Sequence, residues 1–509
     1  MDEYIIGLDS GTSGIKAVVF DKWGTELSKA ERTLRAYCEE ESWYEEEFEE
    51  IWEKAKDCIR EAAAGFDKNS IIGIGITAQG DGLWLFDEKL RPIRKGCCFC
   101  DGRGAEQFEK WGEDGTAEEV FRRAGTRIFT GNQPCILKWM DQYAPEELEK
   151  AKYCLHLKDA LFAYLTGKIS TDTTDQSLVF LDMRTGRYDP ELFRYYGLEK
   201  YLEKYPSVVH SWENKELILP EMAQELQISE NVMVTGGPMD VAACALGAGV
   251  IEEGECCSII GTAALHEMVI SEPCKDTIFA GMTVFHAVQD RWLRLMASLA
   301  GTPNLEWLLG ILGERLTIPA RENNATVYEY AEQLVNKSPI GANGVIYHPY
   351  LLAGGERAPF TDPNARADFI GISVKNTIED LVRACYEGVA YAMCDCYNHM
   401  PIPVKKITLC GGGTSSSTWC QMFADVLGKE VLIVEGKELG ARGAAMNNGV
   451  VQGIYCDFKD AVEHTVKTDK VYIPDMKKHS VYQRFFRLYK KAYEDMPTTW
   501  ALRHEVMKM

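Results

Sequence analysis

The sequence predicts an α/β protein of two large domains that are copies of one design. A chain of 509 residues exceeds the size at which a single hydrophobic core stops growing, which favours two domains. Two units of strand, glycine-containing turn and strand lie about half a chain apart, in residues 4–20 and 256–270. Such self-similarity is typical of duplicated domains with a cleft between them.

Composition limits the kinds of partner. Apolar residues make up 46% and charged residues 26% of the chain, as in ordinary globular proteins. The formal net charge of −22 argues against a nucleic-acid or anionic-membrane partner, because both need a basic face. The start lacks a signal-peptide pattern, and no run of 18 apolar residues occurs. We expect a cytoplasmic protein with a small-molecule partner, and a homodimer stays a hypothesis.

The first unit, YIIGLDSGTSGIKAVVF, predicts a β-hairpin with an oxygen-rich tip. Backbone N–H groups and the hydroxyls of Thr12 and Ser13 can face a phosphate there, with Lys16 close by and Asp9 placed to hold a hydrated divalent cation. The alternative is an ordinary hairpin turn. The chain has no G-x-x-x-x-G-K-[ST] loop, so a hairpin must hold any bound ATP.

Two later segments extend this nucleotide site. The second unit places Gly261 and Thr262 at its turn but lacks the Asp and Lys of the first, so it predicts a plain phosphate contact. Gly301, at a glycine turn into a helix, is a further candidate. A strand at residues 407–410 then runs into a glycine and serine segment with Gly412 and Ser416, where a nucleobase or ribose can lie close to the backbone.

Polar groups at strand ends predict a second site. The strand at residues 71–76 ends in Gln79, Gly80 and Asp81, where α/β proteins keep their ligands. Another strand ends at Asp101 and Arg103, a carboxylate and a guanidinium that can bind vicinal hydroxyls. A surface ion pair in a turn is an equal alternative for Asp101 and Arg103.

Asp240 is the candidate general base. It follows two glycines and Pro238 at the start of a small-residue helix, so a helix-capping role is the simpler alternative. In phosphoryl transfer the base orients the attacking hydroxyl and accepts its proton late, so an ordinary acidic pKa suffices.

The remaining patterns predict structure rather than chemistry. Helices are expected at residues 151–165, ending at Gly167, and at residues 378–391. The acidic run at residues 39–50, which leads into an amphipathic helix, is expected to be solvent-exposed. The 17 cysteines indicate reduced thiols, and the cluster of Cys97, Cys98 and Cys100 indicates strand packing rather than a zinc site.

Together these motifs resemble the FGGY family of sugar kinases, on the actin/hexokinase-like (ribonuclease H-like) fold. DSGTSGIKA is similar to the first phosphate motif, IIGTAA to the second and GGGTSSSTWCQMFADVLG to the adenosine motif. Residues 349–359 are similar to the family's PYL…GER…P signature. The resemblance covers nearly the whole chain and implies domains at residues 1–247 and 248–509, with ATP and Mg²⁺ as cofactors.

The family's roles carry over residue by residue. Asp9 matches the carboxylate near Mg²⁺, and Asp240 matches the catalytic base. The other matched positions are Thr12, Ser13 and Thr262 for phosphate, Gly412 and Ser416 for adenosine, and Gly80, Asp81, Asp101 and Arg103 for the sugar. The resemblance implies transfer of ATP's terminal phosphoryl group to a terminal hydroxyl, with domain closure that excludes water.

One departure concerns the substrate. Where xylulokinases of the family have Gln-Met-His-Gly, this chain has Gln79, Gly80, Asp81 and Gly82. The sequence is more similar to the L-xylulose and erythritol kinase branch, which favours a four- or five-carbon polyol or ketose; glycerol and gluconate are the alternatives. The rival classes are an actin-like or chaperone-like ATPase and a non-catalytic sugar sensor.

Overall fold

The computed structural model describes residues 3–38, 40, 42–273 and 278–508. Two mixed β-sheets, one of six strands and one of seven, organise its two halves. The first sheet contains β1 (Tyr4–Ser10), β2 (Gly14–Phe20), β3 (Glu26–Thr33), β4 (Ile71–Ala78), β5 (Lys215–Leu217) and β6 (Met233–Gly236). The second contains β7 (Glu255–Ile260), β8 (Ala264–Ile270), β9 (Met282–Phe285), β10 (Trp292–Ser298), β11 (Lys406–Cys410), β12 (Val431–Val434) and β13 (Thr468–Tyr472).

Helices flank both sheets. Those of the first half are α1 (Phe48–Ala63), α2 (Ala105–Glu113), α3 (Thr116–Ala124), α4 (Gln133–Tyr143), α5 (Pro145–Lys150), α6 (Leu157–Thr166), α7 (Thr173–Gln176), α8 (Pro190–Tyr196), α9 (Pro220–Leu226) and α10 (Asp240–Gly247). Those of the second half are α11 (Pro303–Leu312), α12 (Glu314–Glu322), α13 (Val327–Lys337), α14 (Ile378–Asn398), α15 (Ser417–Leu427), α16 (Leu439–Gln452), α17 (Phe458–Thr465), α18 (Met476–Glu494) and α19 (Pro497–Met507).

Short paired strands connect these elements. The pairs are Glu45–Glu46 with Gly96–Cys97, Trp84–Phe86 with Tyr153–Leu155, Thr171–Asp172 with Val208–Val209, Leu181–Asp182 with Arg187–Tyr188, and Ile346–His348 with Asp368–Ile370.

The two sheets share one topology. The first has the order β3-β2-β1-β4-β6-β5, and six strands of the second repeat it as β10-β8-β7-β11-β12-β13. In each sheet the first hairpin strand is antiparallel to its partner and parallel to the next strand inward. This repeat confirms the predicted α/β fold of two duplicated domains.

Helix α16 joins the two halves. It comes late in the chain, yet it packs against α10, β1 and β4 of the first half. Glycines allow this approach: a Cβ on Gly443 would lie 1.9 Å from the Ala243 oxygen, and one on Gly7 would lie 2.1 Å from the Ala441 oxygen. The small-residue segment at residues 440–449 therefore packs tightly, as its composition predicts.

Two predicted elements have different bounds in the structure. Residues Tyr153–Leu155 form a strand, so the helix expected from residue 151 begins only at Leu157; it ends at Gly167, as predicted. The helix expected at residues 378–391 continues to Asn398, about two turns further. Residues 392–397 of this extension are all buried, so packing in the second half continues the helix beyond its predicted end.

The acidic run is partly buried, contrary to expectation. Glu45 and Glu46 are 4% and 1% exposed in a short strand that faces the candidate site. Glu39 and Glu41 of the same run lie outside the described residues. The prediction of solvent exposure rested on the charge of the run alone and is wrong for Glu45 and Glu46, because pairing with the strand at residues 96–97 buries them.

The thiols are free across the described ranges, and Cys97 and Cys98 are buried as strand packing predicts. Within those ranges, no helix combines the length and apolarity that crossing a bilayer requires.

Candidate active site

The tip of the first hairpin is a tight turn. The Gly11 N–H donates to the Gly14 oxygen at 2.9 Å, and the Ser13 side chain is exposed. Thr12 donates its hydroxyl to Gln79 Oε1 at 2.9 Å. Gln79 in turn donates to Glu46 Oε2 at 2.8 Å, so the amide of Gln79 links the hairpin tip to a buried carboxyl.

Asp9 and Lys16 lie opposite each other below this tip. Lys16 Nζ is 3.2 Å from Asp9 Oδ2 and 2.8 Å from Glu438 Oε2. Burial raises the pKa of Asp9, and the charge of Lys16 opposes that rise. Lys16 is therefore held between two carboxylates from different halves of the chain, close to the position predicted for it.

A cavity of about 400 Å³ connects the hairpin with the start of α10. Asp9, Gly11 and Ser13 form one wall, and Asp240 with Val241 forms another. The second half contributes Ile259, Cys410, Gly411, Lys437, Leu439 and Gly440. The candidate base and the first phosphate hairpin thus face the same space.

Asp240 is the first residue of α10 and is half-buried. Its Oδ1 accepts a hydrogen bond from the Val241 N–H at 2.8 Å, and its carboxyl also accepts from the Gly80 N–H. Burial, with the nearby charges of Asp9 and Asp175, raises the pKa of Asp240 to about 8. This pKa is higher than the ordinary acidic value that suffices for a base in phosphoryl transfer.

The space beside Gly80 is bounded by two side chains. A Cβ on Gly80 would lie 3.3 Å from Met239 Sδ and 3.4 Å from Asp175 Oδ1. Asp81 is fully buried; Asn132 donates to its Oδ2, and His156 Nε2 lies 3.5 Å from its Oδ1. Burial raises the pKa of Asp81, whereas the nearby His156 and the hydrogen bond from Asn132 lower it.

A buried cluster of charged side chains contacts Asp81 and Asp175. Lys158 Nζ bonds Asp172 and lies 2.9 Å from Asp175 Oδ2. Burial would lower the pKa of His156, but Asp175, Asp159 and Asp81 raise it to about 10. The cluster therefore holds two cations among four carboxyl groups, which leaves the region acidic.

Arg103 and Asp101 form a buried ion pair, not the surface pair of the alternative. Arg103 Nε lies 2.8 Å from Asp101 Oδ1, and Arg103 Nη2 donates to Glu45 at 2.5 Å. Trp43 and Trp139 cover the guanidinium at 4.2 and 5.1 Å. Arg103 Nη1 is buried and finds no hydrogen-bond partner among the described residues, which leaves one donor for a bound hydroxyl.

The nucleotide candidates of the second half lie on adjacent loops. Thr262 is exposed at the β7–β8 turn, outside the cavity described above, and its oxygen accepts from the Gly301 N–H at 2.9 Å. Gly261 O accepts from the Thr302 N–H at 2.8 Å, so the Gly301 turn holds this tip.

The glycine and serine segment follows β11. Gly411 has a φ of 84°, and a Cβ there would lie 2.7 Å from the Ile260 oxygen, so glycine is required. Gly412 is exposed, with open space around it. Ser416 caps α15 by accepting from the Trp419 N–H at 3.0 Å, so its hydroxyl already has a structural role.

Comparison with known proteins decides the family. Residues 4–247 match the profile of the FGGY family of carbohydrate kinases, N-terminal domain, and residues 256–450 match its C-terminal domain. The chain belongs to the FGGY family of carbohydrate kinases. It is 28% identical to erythritol kinase of Brucella abortus, with 98% of this chain and 97% of that protein covered. It is also 28% identical to L-xylulose/3-keto-L-gulonate kinase of Escherichia coli, with 96% of each covered.

Solved structures share the FGGY fold. The gluconate kinase of Lactobacillus acidophilus matches with a TM-score of 0.91 at 21% identity, covering 98% of this chain and 99% of that one. Xylulose kinase of Rhodospirillum rubrum matches with a TM-score of 0.88 at 23% identity, covering 98% and 100%. These structures confirm the predicted fold, and the family match with its kinase relatives shows an ATP-dependent carbohydrate kinase.

Several residues of this FGGY site were missed by the sequence analysis. Asp175 and Met239 border Gly80, Glu46 holds Gln79, and Glu438 holds Lys16. Glu438 directly precedes the small-residue segment at residues 440–449, which is a usable signal. Asp175 carries no such signal, because the TDTTDQ segment reads as an ordinary turn.

Proposed function

We propose that this kinase transfers the γ-phosphoryl group of ATP to a terminal hydroxyl of a neutral four- or five-carbon polyol or ketose. The observation that carries the proposal is the shared cavity of Asp9, Asp240 and the first hairpin. A base must face both its alcohol and the transferring phosphoryl group, and Asp240 faces the hairpin cavity while it accepts a bond from Gly80.

The charge of the sugar side supports a neutral substrate. Asp81, Asp175 and Asp240 border the space around Gly80, and Arg103 is already neutralised by Asp101 and Glu45. A sugar acid would bring its carboxylate into this acidic region without a free cation, which costs binding energy. Of the substrates that relatives' names contain, erythritol and L-xylulose therefore fit better than 3-keto-L-gulonate.

The substrate contacts follow from unused polar groups. Arg103 Nη1 is a buried donor and Asp175 Oδ1 is a buried acceptor, and neither has a hydrogen-bond partner among the described residues. Asp81 Oδ1 has only the 3.5 Å contact with His156 Nε2. A polyol presents one donor and two acceptor lone pairs on every hydroxyl, so it satisfies such mixed groups. We assign Asp81, Asp175 and Arg103 to the hydroxyls distant from the transferred group.

The chain's own residues then organise one displacement step. Asp240 accepts the proton of the terminal hydroxyl, the hydroxyl oxygen bonds to the γ-phosphorus, and the bond from that phosphorus to the bridging oxygen of ADP breaks. The hairpin N–H groups, with Thr12 and Ser13, orient the phosphates. Lys16 supplies positive charge beside Asp9.

The donor set also fits Mg²⁺. Asp9 and Asp240 line one cavity, and carboxylate oxygens are the protein ligands that Mg²⁺ prefers. We assign Asp9 to hold the ion through its hydration shell; bound there, Mg²⁺ would neutralise charge on the phosphate oxygens. The proposed domains, residues 1–247 and 248–509, each contribute one phosphate hairpin, and the free thiols favour a cytoplasmic site of action.

A coupled ATP-consumption screen tests the proposal. The purified chain is assayed with tetritols, pentitols, ketopentoses, glycerol and gluconate, each with ATP and Mg²⁺. We expect stimulation by a tetritol, pentitol or ketopentose and little by gluconate. Stimulation by gluconate alone would overturn the neutral-substrate proposal, and ATP turnover that no polyol stimulates would favour a chaperone-like or actin-like ATPase.

A further inference from the structure

Three cysteine thiols from three elements meet beside the candidate base. Cys244 lies on α10, Cys257 on β7 and Cys410 at the end of β11, and their sulfurs all lie within 4.8 Å of one another. We propose that these thiols, here called the thiol cluster, bind a thiophilic d¹⁰ cation such as Zn²⁺ or Cd²⁺. Cys244 and Cys410 line the same cavity as Asp240, but the phosphoryl-transfer step has no use for such an ion, so this cation would be additional to the Mg²⁺ assigned to Asp9.

The spacing suits metal coordination. Tetrahedral geometry with Zn–S bonds of about 2.3 Å places two ligand sulfurs about 3.8 Å apart. Cys257 Sγ and Cys410 Sγ are 3.7 Å apart, and Cys244 Sγ lies within 4.8 Å of both, so each of its separations exceeds the ideal distance by about 1 Å at most. A disulfide would need about 2.0 Å, so these sulfurs are not bonded to each other.

A buried carboxyl beside the cluster lacks a partner. Glu267 lies directly opposite Cys257 in the β7–β8 pair and is 0% exposed. Neither carboxyl oxygen has a hydrogen-bond partner within the described ranges, although the group interacts electrostatically with Cys244 and Cys410. A buried carboxylate is costly unless it is paired or coordinates a metal. Glu267 is not among the ligand atoms that lie within 4.8 Å of one another, so we assign it to support the thiol ligands rather than to bind the cation itself.

A second cluster of possible metal ligands already has a cationic side chain beside it. His156, Asp159 and Asp175 also lie within 4.8 Å of one another, but Lys158 Nζ lies 2.9 Å from Asp175 and supplies the positive charge. At the thiol cluster, Arg442 interacts electrostatically with Cys410 and Cys244. Its N–H groups donate to the Gly247 and Glu435 oxygens, so its donors are already used and it does not neutralise Glu267 by a hydrogen bond.

Binding would be an exchange of protons for metal. Each ligating S–H releases its proton to solvent, the sulfur donates an electron pair to the ion, and nothing is oxidised or reduced. Cys244 lies one helical turn after Asp240, so the ion would join the base's helix to two strands of the second sheet.

Cadmium titration of the full chain tests the site without any substrate. Thiolate-to-metal charge transfer is followed by ultraviolet absorbance, and equilibrium dialysis counts the bound ions. We expect one tightly bound Cd²⁺ per chain, with loss of its absorbance band in Cys244→Ala. Cys244 is half-buried, so this variant tests the site even if Cys257→Ala fails to fold.

Cys256→Ala is the matched control. Cys256 is the next residue on β7, but its side chain packs in the core on the opposite face of the sheet, so this variant should keep the tight site. Glu267→Gln should weaken Cd²⁺ binding about tenfold, as loss of a group supporting a metal site does. The same band in Cys244→Ala would show that Cys244 is not a ligand of the bound ion and would overturn the proposal. Because the assay contains neither ATP nor polyol, failure of the proposed substrate leaves this result unaffected.

Discussion

Lys16 Nζ lies 2.8 Å from Glu438 Oε2, which connects the first hairpin to the segment just before α16. Lys29 Nζ contacts the other carboxylate oxygen at 2.7 Å. Burial alone would raise the pKa of Glu438, but the two lysines outweigh it and lower that pKa. A residue from the second half thus holds the charged group that we assign to the phosphates.

Glu438→Gln should weaken ATP binding. When residue 438 has no charge, Lys16 loses the partner that keeps it beside the hairpin. We therefore expect the KM for ATP to rise about fivefold, which corresponds to a loss of about 1 kcal/mol for a partly exposed ion pair. Steady-state kinetics at saturating polyol measure this. Glu435→Gln, an exposed neighbour on the same segment, is the control and should change nothing. An unchanged KM in Glu438→Gln would show that this contact does not position Lys16.

Asp240→Asn should abolish polyol phosphorylation. An amide cannot accept the hydroxyl proton, and loss of a general base costs about 10²- to 10⁴-fold in rate. ATP binding, measured by calorimetry, should stay close to that of the unaltered chain, because the hairpin residues are untouched. A variant with equal activity would overturn the assignment of the base.

The rate should rise with pH through the pKa of Asp240. The carboxyl accepts a proton only when ionised, and its pKa is raised to about 8, so kcat/KM should increase from about pH 6 to 9. Asp175→Asn removes one of the charges that raise this pKa, so the rise of kcat/KM with pH should move about one pH unit lower. A rise of kcat/KM near pH 4 in the unaltered chain, or a rise at the same pH in Asp175→Asn, would contradict this account.

Gly80→Met should close the space reserved for the polyol. A Cβ added at Gly80 would lie 3.3 Å from Met239 Sδ, so a longer side chain must displace Met239 or Asp175. We expect kcat/KM for the polyol to fall about 100-fold, with little change in the KM for ATP. Gly65→Ala, where an added Cβ meets nothing within 4 Å, is the control. Full activity in Gly80→Met would place the substrate elsewhere.

Much of the fold was readable because its signals are local. The alternation of apolar residues and the glycines at residues 11 and 14 identify the first hairpin, and Gly167 marks the end of α6. Where long-range pairing decides, local signals fail. Glu45 and Glu46 look like solvated charges but are buried by a strand that lies 50 residues further on.

The candidate site divides in the same way. The positions of Asp9, Asp240 and the glycine turns follow from motifs, because each motif prescribes its own backbone. The environment of those residues does not follow from motifs, since Asp175 and Glu267 have no local mark of function. Their roles depend on neighbours that become neighbours only through packing.

By itself, the sequence determined the duplicated α/β design and the family, and it led to the proposal of Asp240 as the base, since periodicity and glycine spacing are encoded in adjacent residues. Only the tertiary structure decided that Asp240 has a raised pKa, that Lys16 is shared by two carboxylates and that three cysteines meet beside α10. These properties depend on burial and on distances between remote residues, and chain order specifies neither.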